Sequence, residues 1–179
     1  MPRLILLGIG SAGSSLFAPA GLLIEYGHTR VGLDGGPGSE PPENVDAWLV
    51  TDEHGSLQPG RRRIAQREGM ADPAVAPFQH GPLHVDPVPV AHPDAAVYGY
   101  RIKAGHHTAI WAPEFAKLPD WGEHADLMFA GAADVEETAA AAERFGVRRL
   151  VFVCLGEQAH PEIGPPFGEW GEEGGQYRM

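Results

Sequence analysis

The sequence predicts an α/β or α+β domain, strand-rich at first and with helices on the outside. Three observations lead there. Short runs of leucine, isoleucine and valine, bounded by glycine, open the chain. One clearly amphipathic helix stands late, over Asp134–Phe145, and a run that is apolar at every position, "LVFVCL", follows it. The 179 residues suffice for one domain with a real core.

Arg3–Ile9, "RLILLGI", reads as a buried strand, because leucine and isoleucine fill it without polar alternation. "GLLIEYG" and "RVGLD" are two more, with Gly27-His28 between them as a tight turn. "DAWLV" is a fourth. "QPGRRRIAQREGM" reads as helix, with Pro59 near its start, where a missing N–H costs nothing. Its Arg61-Arg62-Arg63 cluster is expected on a solvated helix face. Ala71 to Pro89 is proline-rich and reads as loop plus an edge strand, since proline cannot donate to a ladder. "AVYGYRIKAG" and "HTAIWAP" form a hairpin around Ala104-Gly105, with His106-His107 at an exposed tip. "ADLMFAG" is a further short strand.

The helix over Asp134–Phe145 carries its own start and stop signals. Asp134 is the N-cap and Glu137 completes a capping box. Val135, Ala139, Ala142 and Phe145 make one apolar face, and Gly146 ends the helix. "RRLVFVCLG" then reads as a strand covered on both sides. The tail "GPPFGEWGEEGGQYRM" lacks periodicity, so residues 1–164 are assigned to the domain and 165–179 to an extended arm or disordered segment. Phe167 and Trp170 in it suggest a cover for the body or a contact with a second copy, as in a homodimer.

Composition excludes several classes. A formal net charge of −11 disfavours nucleic acid and anionic membranes. The single cysteine, Cys154, forbids a disulfide within the chain and fits a reducing, cytoplasmic location. The apolar run Leu4–Leu7 is too short for a secretion signal, and no stretch is long enough to span a membrane. Gly8-Ile9-Gly10-Ser11-Ala12-Gly13 matches G-x-G-x-x-G, but a dinucleotide site needs a helix next. Pro19 and Gly21 interrupt that segment, so these glycines read as a tight connection instead.

The order "LLGIGSAGSS", "LLIEYGHTRVGLDGGPG", "DAWLVTDEHGSLQPG" resembles the opening of the metallo-β-lactamase superfamily. Asp34, Gly36 and Gly38 match its D-x-G-x-G-like stretch. "VPVAHPDAAVYGYRI", "AIWAPEFAKLPDWGEHADLMF" and "FGVRRLVFVCLG" look like the compact phosphodiesterase and tRNA-3′-processing-nuclease branch. The resemblance implies a four-layer αββα sandwich, with two metals at one edge of the sheets turning a bridging water into hydroxide.

Laid on the family's T-H-x-H-x-D-H loop, Thr51 matches the threonine, Asp52 replaces the first histidine and His54 matches the second. Ser56 replaces the aspartate and Leu57 the last histidine. His92 matches the later strand-preceding histidine, Glu114 replaces the bridging aspartate, and Cys154 replaces the final histidine. The resemblance thus implies at most one divalent metal, zinc or else manganese or iron, held by Asp52, His54, His92 and Glu114, with Cys154 as a further candidate. Glu114 is the candidate acid–base residue, because Ser56 has no basicity near neutral pH. His80, His84, His106, His107, His124 and His160 fit no ligand position. Two functions stay open: a mononuclear hydrolase of phosphodiesters or other esters, and a non-catalytic relative without metal that binds a small molecule or a partner in the old cleft. The charge and the missing second metal disfavour tRNA processing, and the missing secretion signal disfavours a β-lactam hydrolase.

Overall fold

The computed structural model describes residues 1–157 and 167–179. In chain order the first elements are β1 (Arg3–Gly8), β2 (Gly21–Tyr26), β3 (Thr29–Asp34), β4 (Ala47–Leu49) and α1 (Gln58–Arg67). There follow β5 (Phe78–His80), β6 (Leu83–Pro89), β7 (Tyr98–Ala104), β8 (His107–Ala112) and β9 (Leu127–Gly131). The last are α2 (Val135–Arg144), β10 (Leu150–Val153), β11 (Glu169–Trp170) and β12 (Gln176–Arg178). They form a five-stranded sheet, β12-β1-β2-β3-β4, and a seven-stranded one, β11-β10-β9-β8-β7-β6-β5.

The side-chain period of a strand builds the layers. Trp111, Phe129, Val151 and Val153 point from the second sheet into a core shared with Leu4, Leu22, Ile24 and Leu33 of the first. Their strand neighbours Ile110, Met128, Leu150 and Phe152 point the other way, onto Ala139 and Ala142 of α2. Ile64 and Ala65 of α1 cover Trp48 behind the first sheet. The result is helix, sheet, sheet, helix. Asp134 caps α2 as expected, its Oδ1 accepting the Glu137 N–H at 3.0 Å, and Gly146 closes that helix at φ +68°. Among the described residues no helix is long and apolar enough to cross a membrane.

Several expectations change. The proline-rich segment supplies two strands rather than one, and β6 is internal. Its prolines are tolerated because β5 pairs only with Leu83–Val85, which leaves Pro87 and Pro89 past the end of that ladder. His107 lies in β8, not at the hairpin tip, with its ring 3.6 Å from Asp126. Arg61 is buried, whereas Arg62 and Arg63 are exposed. Within the tail, β11 pairs with β10 and β12 with β1, so each sheet ends on a strand from it. The assigned boundary at 164/165 and His160 lie outside the described residues.

Gly10 joins the sheets. Its N–H donates to Ala18 O, its carbonyl accepts from Ala20 N, and it bridges Leu155. A Cβ there would sit 2.6 Å from Phe17 O, so close backbone approach is what the glycine provides. No helix follows it, in keeping with a connection rather than a dinucleotide site.

Candidate functional site

The carboxyl ends of β3, β8, β9 and β10 meet at one end of the sandwich. There Asp34 adopts φ +51°, a left-handed backbone that a short polar residue tolerates. The residue is buried, 3 % exposed. Oδ1 accepts the Thr51 backbone N–H at 2.8 Å, and Oδ2 accepts the Trp111 indole N–H at 2.7 Å. The Thr51 hydroxyl lies within 3.1 Å of both oxygens. The Asp34 carbonyl accepts from the Trp48 indole at 2.7 Å. Arg61 reaches in from α1: its Nε donates to Gly35 O at 2.7 Å, and a terminal nitrogen lies 3.7 Å from Asp34 Oδ1. Asp34 thereby fixes the start of the 51–57 loop against both sheets.

That loop uses its own acids. Asp52 Oδ1 accepts the His54 N–H at 2.8 Å, a local turn closed by a side chain. Glu53 accepts the Val75 N–H at 2.7 Å. His54 and Ser56 are exposed, and Leu57 is half-buried at the N-terminus of α1. Across the cleft, His92 Nε2 and Glu114 Oε1 are 3.0 Å apart. The Asp94 N–H points at His92 Nδ1 at 3.3 Å. Nδ1 is therefore the acceptor, the proton sits on Nε2, and Nε2 donates to Glu114. Cys154 follows β10 at φ +59°. Burial, with the charges of Asp34 and Glu114, pushes its thiol pKa far up.

Two cavities open here and share Ala12, Pro113, Glu114 and Cys154. The smaller, about 90 Å³, is also walled by Asp34, Thr51, Leu57 and Arg61. The larger, about 300 Å³, continues past Ser11, Phe115 and Gly131–Ala133. Gly131 keeps it open beside Pro113, because a Cβ would run into the Pro113 carbonyl.

Of the residues singled out from sequence, the fold pairs His92 with Glu114 and sets Glu114 and Cys154 around one cavity. It does not gather Asp52 and His54 with them: among the described residues no three His, Cys, Asp or Glu side chains are grouped to hold a metal ion. As they stand, the donors do not fit one. His92 has neither ring nitrogen free, one Asp52 oxygen accepts within its own loop, and Leu57 has no donor atom. Sequence reasoning missed Arg61. Its signal was its spacing, because Gln58, Arg61, Ile64 and Ala65 share the buried face of α1.

No protein-family model matches the chain, and no curated protein does. Solved structures match over nearly all of it. A diphosphatase of the PhnP family superposes with a TM-score of 0.73 at 18 % identity, covering 99 % of this chain and 97 % of that one. The metallo-β-lactamase-fold protein YhfI of Bacillus subtilis gives 0.69 at 18 %, covering 98 % of each. Zinc-bound PqqB of Methylobacterium extorquens gives 0.66 at 13 %, covering 99 % and 100 %. The chain has the metallo-β-lactamase fold.

Proposed function

We propose that this chain binds a small ligand in the cleft at the carboxyl ends of its strands and works without the two-metal centre of hydrolases of this fold. The observation that carries this reading is the replacement of the metal donors at the cleft: Leu57, which has no donor atom, stands at an expected ligand position and walls the cavity together with Arg61 and Cys154. The cavity of about 300 Å³ is at the lower end of the range for small-molecule sites. Its walls include Ala12, Phe115, Ala132 and Ala133, with the Glu114 carboxylate at the rim. Such a pocket suits a compact, largely apolar ligand that presents a hydrogen-bond donor to Glu114.

A second reading is favoured by one contact, the 3.0 Å pairing of His92 with Glu114, which brings together two of the residues expected to ligate a single metal. On that reading the chain is a mononuclear metal-dependent hydrolase with Glu114 as its acid–base residue. The two are separated by one set of measurements. The protein is stripped with chelator, reloaded with zinc or manganese, and assayed for bound metal and for turnover of a generic phosphodiester. A fragment library is screened in parallel by NMR. Ligand binding predicts no stoichiometric metal, no turnover, and fragment-induced shifts centred on Ala12, Phe115 and Ala133. Stoichiometric metal with turnover abolished by His92→Ala would overturn it in favour of the hydrolase.

A further inference from the structure

Arg61 is the one permanently charged cation inside the cleft among the described residues, and neither the resemblance nor a small-molecule pocket accounts for it. A guanidinium does not shed its proton, so burying it leaves a fixed charge. Its side chain is 7 % exposed, that of Asp34 4 %. The geometry has two parts. Nε is pinned to Gly35 O at 2.7 Å, which orients the planar head. The terminal nitrogen then faces Asp34 Oδ1 at 3.7 Å, in the same small cavity that Leu57, Glu114 and Cys154 wall. Those three residues occupy positions that the resemblance assigns to ligands of the second metal. A carboxylate buried beside a second carboxylate and a thiol needs a counter-charge, or the loops around it splay to admit water.

We infer that Arg61 is the resident cation of this cleft, supplying from within the chain the positive charge that the buried Asp34 carboxylate faces. It acts as a positioning residue. By compensating Asp34 it preserves the bonds from that carboxylate to Thr51 and Trp111, and so the shape of the 51–57 loop. The alternative is that Arg61 only fills space under α1, as the stem of any long side chain would.

Charge and volume are separated by three variants of the full chain. Arg61→Met keeps the volume and loses the charge. Arg61→Lys keeps the charge and loses the fork. Arg61→Ala opens a hole. Melting is expected to rank the native arginine above lysine and lysine above methionine, with the methionine variant lower by roughly 10 °C. Methionine is also expected to move the Trp111 indole N–H resonance, which reports the bond to Asp34. In Arg61→Ala, guanidinium ion at low millimolar concentration raises the melting temperature above a sodium control of equal ionic strength, and urea, its neutral counterpart in shape, does not. Equal melting of the lysine and methionine variants, or rescue by urea as good as by guanidinium, overturns the inference. If the alanine variant does not fold, the lysine–methionine comparison decides alone. No cleft ligand enters these measurements, so their result stands apart from the proposed binding function.

Discussion

Asp34 shows how much of a site rests on the bonds of one buried carboxylate. Its carboxylate receives an N–H and a hydroxyl from Thr51 and an indole N–H from Trp111. A hydrogen bond to a charged, buried acceptor is worth more than an ordinary one, so the hydroxyl has a measurable share. Thr51→Val keeps shape and backbone and removes that donor. It is expected to lower unfolding free energy by about 1–2 kcal/mol in urea titration, while Thr51→Ser costs clearly less. Equal stability of the valine variant would refute the role given to the hydroxyl. The legible and illegible parts of the site divide at this scale. Glu114 and His92 stand far apart in sequence, and only the family order brought them together; the fold pairs them. Asp52 and His54, two apart on a loop, had the spacing of two ligands. A short acid two residues before an N–H has a nearer partner, the backbone itself, and Asp52 takes it. Arg61 was hidden by its neighbours: three arginines in a row look solvated, and only helical phase separates the buried one.

At the scale of elements, the segments legible in sequence are those whose own pattern decides their fate. β1 to β4, β9 and β10 read correctly because apolar runs of strand length between glycines have few other solutions. α2 read correctly because its cap, face and stop agree. The tail reads in sequence only as an extended arm or a disordered segment, because β11 and β12 span only two and three residues and take their structure from the edges they meet. Gly174 N donates to Leu6 O at 2.8 Å and Gly175 O accepts from Leu6 N at 3.0 Å, so the tail's backbone completes β1. Tyr177 then sits edge-on to Phe129 with ring centroids 5.2 Å apart, beneath Arg149. Truncation after Glu173 removes that ring, buried Met179 and the partner of the β1 edge. A loss of roughly 3–5 kcal/mol is expected from the aromatic alone, with association through the bared strand. Melting and size-exclusion chromatography check both. A truncated chain that melts like the native one would show the tail to be dispensable.

For the whole molecule, the buried proton donors set a limit at high pH. Burial raises the Tyr100 hydroxyl above its ordinary 10.0, the Cys154 thiol above 9.0, and Tyr177 in the same direction. Tyr100 keeps its proton because its side chain is fully buried, with the hydroxyl donating to Val50 O at 3.0 Å. The sign follows from linkage. The folded chain holds these protons at pH values where the unfolded chain releases them, so their contribution is complete below the unfolded pKa values and is lost as pH rises past them. Unfolding free energy from urea titration is therefore expected to be level up to about pH 9 and to fall beyond it, by at most about 1.4 kcal/mol per pH unit for each group. A net charge of −11 works in the same direction, since deprotonation adds to repulsion already present. Salt separates the two causes. Repulsion between surface charges is screened within a Debye length, whereas the penalty for ionising a buried tyrosine is not. In molar salt the decline should persist, and Tyr100→Phe, which has no proton to release in either state, should flatten its part above about pH 10. A decline that vanishes in salt would place the alkaline limit on the surface instead of in the core.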